Sequence, residues 1–385
     1  MMYAVALILT HAVGLSLTAT ILIIGVVTLA YCYLGGMKAV VYGDAIQMGL
    51  LLVGLVICLV VGLDRLGGWH AFTANVDPAR LVAVDYSGFG LGDDNGFGFW
   101  PMLIGGLFLY CAYYGADQSQ AQRLLSARDS TTVRRTLLAN GLIRFPITAC
   151  YCLMGLVLGT LAQQGSGPVA EAIAGEPDLL VPMFIRNGLP AGLTGLLIVA
   201  IFSAAMSSVS SAINSLSAAS VEDFIVGGRD VSDGAYMRAS HAATLFWGIV
   251  CLGLAFVTGH LAATLIEAIN KIGSVFFGPL LATFVSAILW PRIDARGANA
   301  GLVAGVAVNV ALWLFVPALF WFWWNVTGAL ACWAIAGLTS RAGPRAHAPR
   351  TAATLDWHWP SVTLLAAWFV AIVAFASALP LMLRG

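Results

Sequence analysis

Charge is what this chain has least of. Only 9% of its 385 residues are Asp, Glu, Lys or Arg, while 60% are hydrophobic, and soluble domains carry about 25% charged residues. Mean hydropathy is +0.91. So few ions would not cover the surface of a water-soluble fold of this size. An excess of either sign is missing as well: 18 basic residues balance 18 acidic ones, which leaves no electrostatic footprint for nucleic acid. The seven cysteines (Cys32, Cys58, Cys111, Cys150, Cys152, Cys251 and Cys332) lie in apolar runs without CxxC spacing, and the six histidines form no ligand cluster. Free structural thiols are expected. No nucleophile–base constellation stands out, which speaks against a membrane enzyme. Residues 1–10 are apolar but lack a basic n-region and a cleavage site, and do not read as a signal peptide.

What the chain does have is long apolar runs. A helix needs about 20 residues to cross a bilayer. Candidates run over 16–35, 39–63, 99–122, 136–162, 190–224, 236–258, 262–290, 297–317, 319–340 and 358–381, with 1–15 as the tail of an earlier helix. The expectation is an all-α polytopic membrane protein of about ten spans, a single domain over 1–385. The segment 190–224 is too long for the hydrocarbon layer and must tilt, bend or emerge. With the turn around Lys38 in the cytoplasm, thirteen cations fall at the inner face and four outside. That bias sets the orientation, with the C-terminus outside, in a cell membrane such as the bacterial inner membrane.

Polar groups inside spans each need a reason, because a charge at mid-bilayer costs about 2.5–3.5 kcal/mol. Glu267 and Lys271 are four apart in the favourable order for a helical pair. They either neutralise each other, or Lys271, with Asn270 beside it, attracts an anionic solute group. Ala204, Ser207, Ser208 and Ser211 share one helical stripe, with Ser210 beside it. Such small residues often form a tight helix contact with hydroxyls bonded to their own carbonyls; equally, they offer neutral oxygens to a sodium ion. Asp44, near the end of its span, is either solvated or the carboxylate that completes a cation site. Asp117, Gln118, Gln122 and Arg123 fit local hydrogen bonding and snorkelling at a span end. Tyr110, Tyr113 and Tyr114 are packing aromatics or a gate.

These blocks resemble the sodium:solute symporter family. Tyr31-Cys-Tyr-Leu-Gly-Gly-Met-Lys-Ala-Val-Val-Tyr-Gly-Asp44-Ala-Ile-Gln47 is similar to that family's Tyr-x-x-x-Gly-Gly-x-x-Ala-Val-x-x-x-Asp-x-x-Gln run. Asp117-Gln118 with Gln122-Arg123 resembles its Asp-Gln-x-x-x-Gln-Arg signature, and Ala204 to Asp223 its sodium-binding helix, with a weaker block from Gly278-Pro279 to Trp290 further along. The resemblance implies two inverted five-helix repeats, with residues 16–290 as core helices, 297–381 as three further spans, and the first core helices lacking. It also implies one or two Na+ ions: the Ala204 carbonyl, Ser207 and Ser208 at one, and Ser207, Ser210, Ser211 and Asp44 at another. Tyr113 matches the aromatic gate. Tyr110 and Lys271 stand where sugar carriers have amide or hydroxyl side chains, and an ammonium reads charge where an amide reads hydrogen bonds. The expected function is sodium-coupled symport of a small, carboxylate-bearing solute through the lipid bilayer. Sugar, polyol or amino-acid symport, proton coupling, and a solute-sensing membrane domain remain as alternatives.

Overall fold

A computed structural model describes residues 2–92, 96–165, 179–257, 265–290, 292–340 and 358–383. Thirteen α-helices lie among them: α1 (Met2–Val13), α2 (Leu17–Leu66), α3 (Trp69–Asn75), α4 (Phe99–Gly115), α5 (Gln118–Leu125), α6 (Ser130–Gln164), α7 (Leu180–Gly188), α8 (Ala191–Ala219), α9 (Asp233–Val257), α10 (Leu265–Leu289), α11 (Ala295–Phe315), α12 (Trp323–Thr339) and α13 (Trp359–Met382). Eight helical segments among the described residues are long and apolar enough to cross a membrane, or nine with the bent pair α4–α5. α12, within the span expected at 319–340, has 17 residues. Large apolar side chains stay exposed throughout, and α13 buries none of its residues. Lipid demands such a surface, because backbone groups must be satisfied inside each helix while side chains meet hydrocarbon. The Lys38 side chain, Arg341, Arg345, Arg350 and Arg384 lie outside the described residues.

The chain divides into two compact units, one of Met1–Leu81, Ala139–Leu265 and Leu381–Gly385, the other of Val82–Leu138 and Ile266–Pro380.

In the first unit, α2 has helical backbone over 50 residues, which would extend about 75 Å if straight. It does not run straight. A Cβ added at Gly43 would lie 2.5 Å from the Tyr31 hydroxyl, whereas a straight helix separates those residues by about 18 Å. Thr20 and Ile23 line a cleft with Ile198 and Phe202, while the adjacent Leu197 packs on Gly54. The helix therefore turns back between Tyr31 and Gly43, a stretch that holds the Gly35-Gly36 pair where kinks are cheapest. Two apolar halves, Leu17–Leu34 and Tyr42–Leu66, result. Gly67 ends α2 in the left-handed region at φ 91°, a conformation that costs glycine little.

α8 occupies the over-long serine-rich segment. It continues as a π-helix over Ser220–Val226, a wider coil that shifts the register of the residues beyond it. Core clusters join Ile21 and Ile24 of α2 to Ala205, Val209 and Ile213 of α8, and Cys58 of α2 to Leu158 and Leu197.

In the second unit, α11 and α12 pack antiparallel through glycine. Cβ atoms at Gly297, Gly301 and Gly305 would strike the carbonyls of Ala336, Cys332 and Gly328 respectively. This is small-residue packing at four-residue spacing, which lets membrane helices approach closely enough for dispersion to hold them.

Candidate functional site

The sodium-related residues of the sequence all fall in the first unit. Ser210 is fully buried, and its hydroxyl donates to the Ser207 carbonyl at 2.9 Å. Asn214 Nδ2 in turn donates to the Ser210 carbonyl at 3.0 Å. The bonding of hydroxyl back to helix, one of the two alternatives for this stripe, is thus present at Ser210. It leaves that oxygen with its proton spent and only lone pairs to offer, the polarity a cation requires. Ala204, Ser207 and Ser211 are half-buried, and Ser208 is exposed. Ser208 lines a cleft of about 240 Å³ with Met2 and Tyr3 of α1 and Cys251 and Leu254 of α9.

Asp44 is half-buried on the second half of α2, and α2 and α8 are the most extensively packed helices of this unit. Leu197 meets Gly54, and later in α2 Cys58 shares a cluster with Leu189 and Leu193, which precede Leu197. The helices therefore run antiparallel. Moving from Gly54 down to Asp44 on one and from Leu197 up to Ser207 on the other covers ten residues each way. Along straight antiparallel helices that count brings Asp44 level with Ser207, and Gln47 with Ala204.

Gln47 has a place in the motif but no role from sequence. Its Oε1 is buried without a hydrogen-bond partner, one helical turn from Asp44, and an amide oxygen is a neutral ligand for a hard cation. The i, i+3 spacing was the signal that could have found it. The Thr28 and Ser217 hydroxyls of this unit are likewise buried without a partner.

The solute-related residues fall in the second unit. Tyr110, exposed at 44%, stacks on Tyr114 with centroids 6.4 Å apart, and Tyr113 meets Tyr114 edge-on at 5.1 Å. The Tyr113 hydroxyl accepts a hydrogen bond from Gln120 Nε2 at 2.8 Å. The span expected at 99–122 breaks by 49° between α4 and α5. Asp117 causes the restart: it is the N-cap of α5, and its carboxylate accepts from the Ser119 amide at 2.7 Å, a capping geometry that aspartate favours. Gln118 opens α5, Gln122 keeps a buried Oε1 without a partner, and the Arg123 carbonyl accepts from the Ser126 hydroxyl.

Lys271 sits within reach of two aromatic rings. Its ammonium lies 5.7 Å from the Trp313 centroid and 5.9 Å from that of Trp324, rings themselves stacked 5.8 Å apart. Cation–π attraction there contributes about 0.5–2 kcal/mol per contact, depending on desolvation. Sequence reasoning weighed Glu267 and an anionic solute as partners and missed both tryptophans, which lie on α11 and α12. Asn270, beside Lys271, is half-buried.

The sequence model of the sodium:solute symporter family matches residues 1–305. Sodium-coupled monocarboxylate transporter 2 of Mus musculus is 31% identical over 320 residues, 82% of this chain and 51% of the mouse protein. Sodium-coupled monocarboxylate transporter 1 of Homo sapiens is 32% identical over 320 residues, again 82% of this chain and 51% of the relative. A sodium-dependent multivitamin transporter of Oryctolagus cuniculus is 30% identical, covering 83% and 50%. The chain thus spans about half the length of the curated relatives it matches. Among solved structures, a substrate-bound, outward-open Na+-coupled sialic acid symporter superposes with a TM-score of 0.73 at 22% identity, over 89% of this chain and 71% of that one. That likeness shows the fold.

Proposed function

Since the chain belongs to the sodium:solute symporter family, we propose that it forms part of a carrier that moves a small carboxylate inward together with sodium by alternating access. The polypeptide crosses a cell membrane many times, with the turn around Lys38 cytoplasmic and the C-terminus outside. Sodium meets the serine helix. The Ala204 carbonyl, Ser207 and Ser208 serve one ion, and Ser207, Ser210, Ser211 and Asp44 a second, with Gln47 adding an amide oxygen. The single observation that carries this reading is the antiparallel packing of α2 on α8 through Gly54 and Leu197; counting ten residues along each helix from that contact brings Asp44 level with Ser207. A carboxylate, hydroxyls and carbonyls at one depth suit a dehydrated alkali ion, and burying one charge against one cation avoids the cost of an unpaired ion in lipid.

Lys271 favours the carboxylate. An ammonium attracts an anionic group, and Asn270 supplies both a donor and an acceptor beside it. Tyr113 and Tyr114 act as the gate, with Tyr110 against the solute. The relatives named as monocarboxylate transporters point the same way. Each sodium crossing ~100 mV contributes about 2.3 kcal/mol, so two ions drive steeper accumulation than one.

The test is pyruvate uptake by vesicles containing the full-length protein, measured against sodium concentration at fixed voltage and pH. Asp44→Asn and Ser210→Ala should raise the sodium concentration for half-maximal uptake and reduce its steepness. Unchanged sodium dependence in both variants, or full uptake with potassium in place of sodium, refutes the assignment.

A further inference from the structure

Pro279 lies inside α10 and has no amide hydrogen, so the carbonyl of Val275, four residues earlier, loses its helical donor. In hydrocarbon no water replaces it. A neighbouring helix does. Asn309 of α11, fully buried, donates Nδ2 to the Val275 carbonyl at 2.9 Å and to the Ser274 carbonyl at 3.3 Å. Asn325 of α12, also fully buried, donates to the Ser274 hydroxyl at 3.0 Å. The Thr327 hydroxyl approaches Asn309 Oδ1 at 3.3 Å, which fixes the amide with its nitrogen toward the two carbonyls.

Glycine makes room for this knot. A Cβ at Gly328 would fall 2.3 Å from Asn309 Nδ2, and one at Gly278 would collide with the Asn325 backbone. Lys271 stands on the same helix, four residues before Val275.

We propose that Asn309 is a positioning residue: its amide substitutes for the N–H that Pro279 lacks, pins the turn of α10 that precedes the proline, and thereby holds the Lys271 ammonium over Trp313 and Trp324. The link to solute binding rests on the reading of Lys271 given above; the staple itself does not.

The experiment uses the full-length protein in lipid nanodiscs, with thermal unfolding followed by tryptophan fluorescence. Asn309→Leu keeps the branched outline and removes the donor, and should lower the midpoint by about 1–4 °C, the cost of a buried carbonyl left without a partner. In a Pro279→Ala background the helix supplies its own amide, so the same substitution should cost less than half as much. Equal cost in both backgrounds overturns the staple. Independently of any proline variant, Asn309→Ser should unfold at a higher temperature than Asn309→Ala, because the two differ by one donor; the reverse order also overturns it.

A purely structural role would not change solute affinity selectively. In sodium-driven pyruvate uptake, Asn309→Leu should raise KM at least about threefold with Vmax within about twofold, and should add nothing further in a Lys271→Gln background. A fall in Vmax at unchanged KM overturns the positioning role. Intact thermal coupling with pyruvate KM unmoved by Lys271→Gln overturns the solute-site reading of Lys271 and leaves the staple standing.

Discussion

Lys271→Gln separates the two tasks this lysine could perform. The glutamine keeps a hydrogen-bond donor and loses the charge. The glutamine still donates to the carboxylate, but the charge–charge attraction is lost, worth about 1 kcal/mol at 4 Å in water and more as water is excluded, so binding of a carboxylate should weaken by about 1–2 kcal/mol. That is about 5- to 30-fold in KM. The same change removes the ammonium from Trp313 at 5.7 Å and Trp324 at 5.9 Å, at a cost to stability of about 0.5–2 kcal/mol per ring. Those two effects are read by different assays. Initial rates of sodium-driven pyruvate uptake give KM, with a neutral amide analogue as competitor reporting whether charge is recognised; tryptophan fluorescence during heating gives stability. The expected result is a KM raised about 5- to 30-fold together with a relative gain for the neutral analogue. A companion variant, Trp313→Phe, should weaken the platform while leaving charge recognition intact. If Lys271→Gln lowers stability but leaves KM and the preference for the anion unchanged, the ammonium serves the indoles alone and the case for a carboxylate solute falls.

Two more variants address the fold. Gly305→Val would place a branched side chain 2.6 Å from the Gly328 carbonyl and within 3.0 Å of the Pro279 ring; overpacking of that kind costs about 1–3 kcal/mol and should appear as a lower unfolding midpoint and less protein reaching the membrane. Wild-type stability would show that α11 and α12 do not pack through this stripe. Just before α6, Asp129 accepts from the Thr132 amide at 2.6 Å, and that backbone hydrogen bond holds its carboxyl below the ordinary carboxylate value. A depressed folded value means the cap persists above the ordinary range and is lost as pH falls through the lowered one. Hydrogen exchange at Thr132 should therefore show protection at pH 5 that Asp129→Ala removes, and equal protection in the variant would refute the cap.

Much of the architecture was legible because lipid imposes a simple rule. Runs of about 20 apolar residues can only be helices with satisfied backbones, and composition alone excluded a water-soluble chain. The expected break near Lys38 is present as a reversal of α2 even though the backbone stays helical. The stripe of Ala204, Ser207, Ser208 and Ser211 was readable because helical spacing is local. The N-cap role of Asp117 was harder: the sequence placed it at the end of one long span, and only the 49° break revealed it as the start of a new helix.

The sequence determined the membrane setting, the helices, and which serines share a stripe, since these follow from hydropathy and a 3.6-residue period within one segment. Partners across segments were decided by tertiary structure alone. The packing of Leu197 on Gly54, the indoles under Lys271, and the amide of Asn309 at the carbonyl freed by Pro279 each join residues far apart in the chain. Periodicity specifies which way a side chain faces on its own helix; which helix stands opposite, and in what register, is fixed by the packing of glycines and apolar ridges between helices.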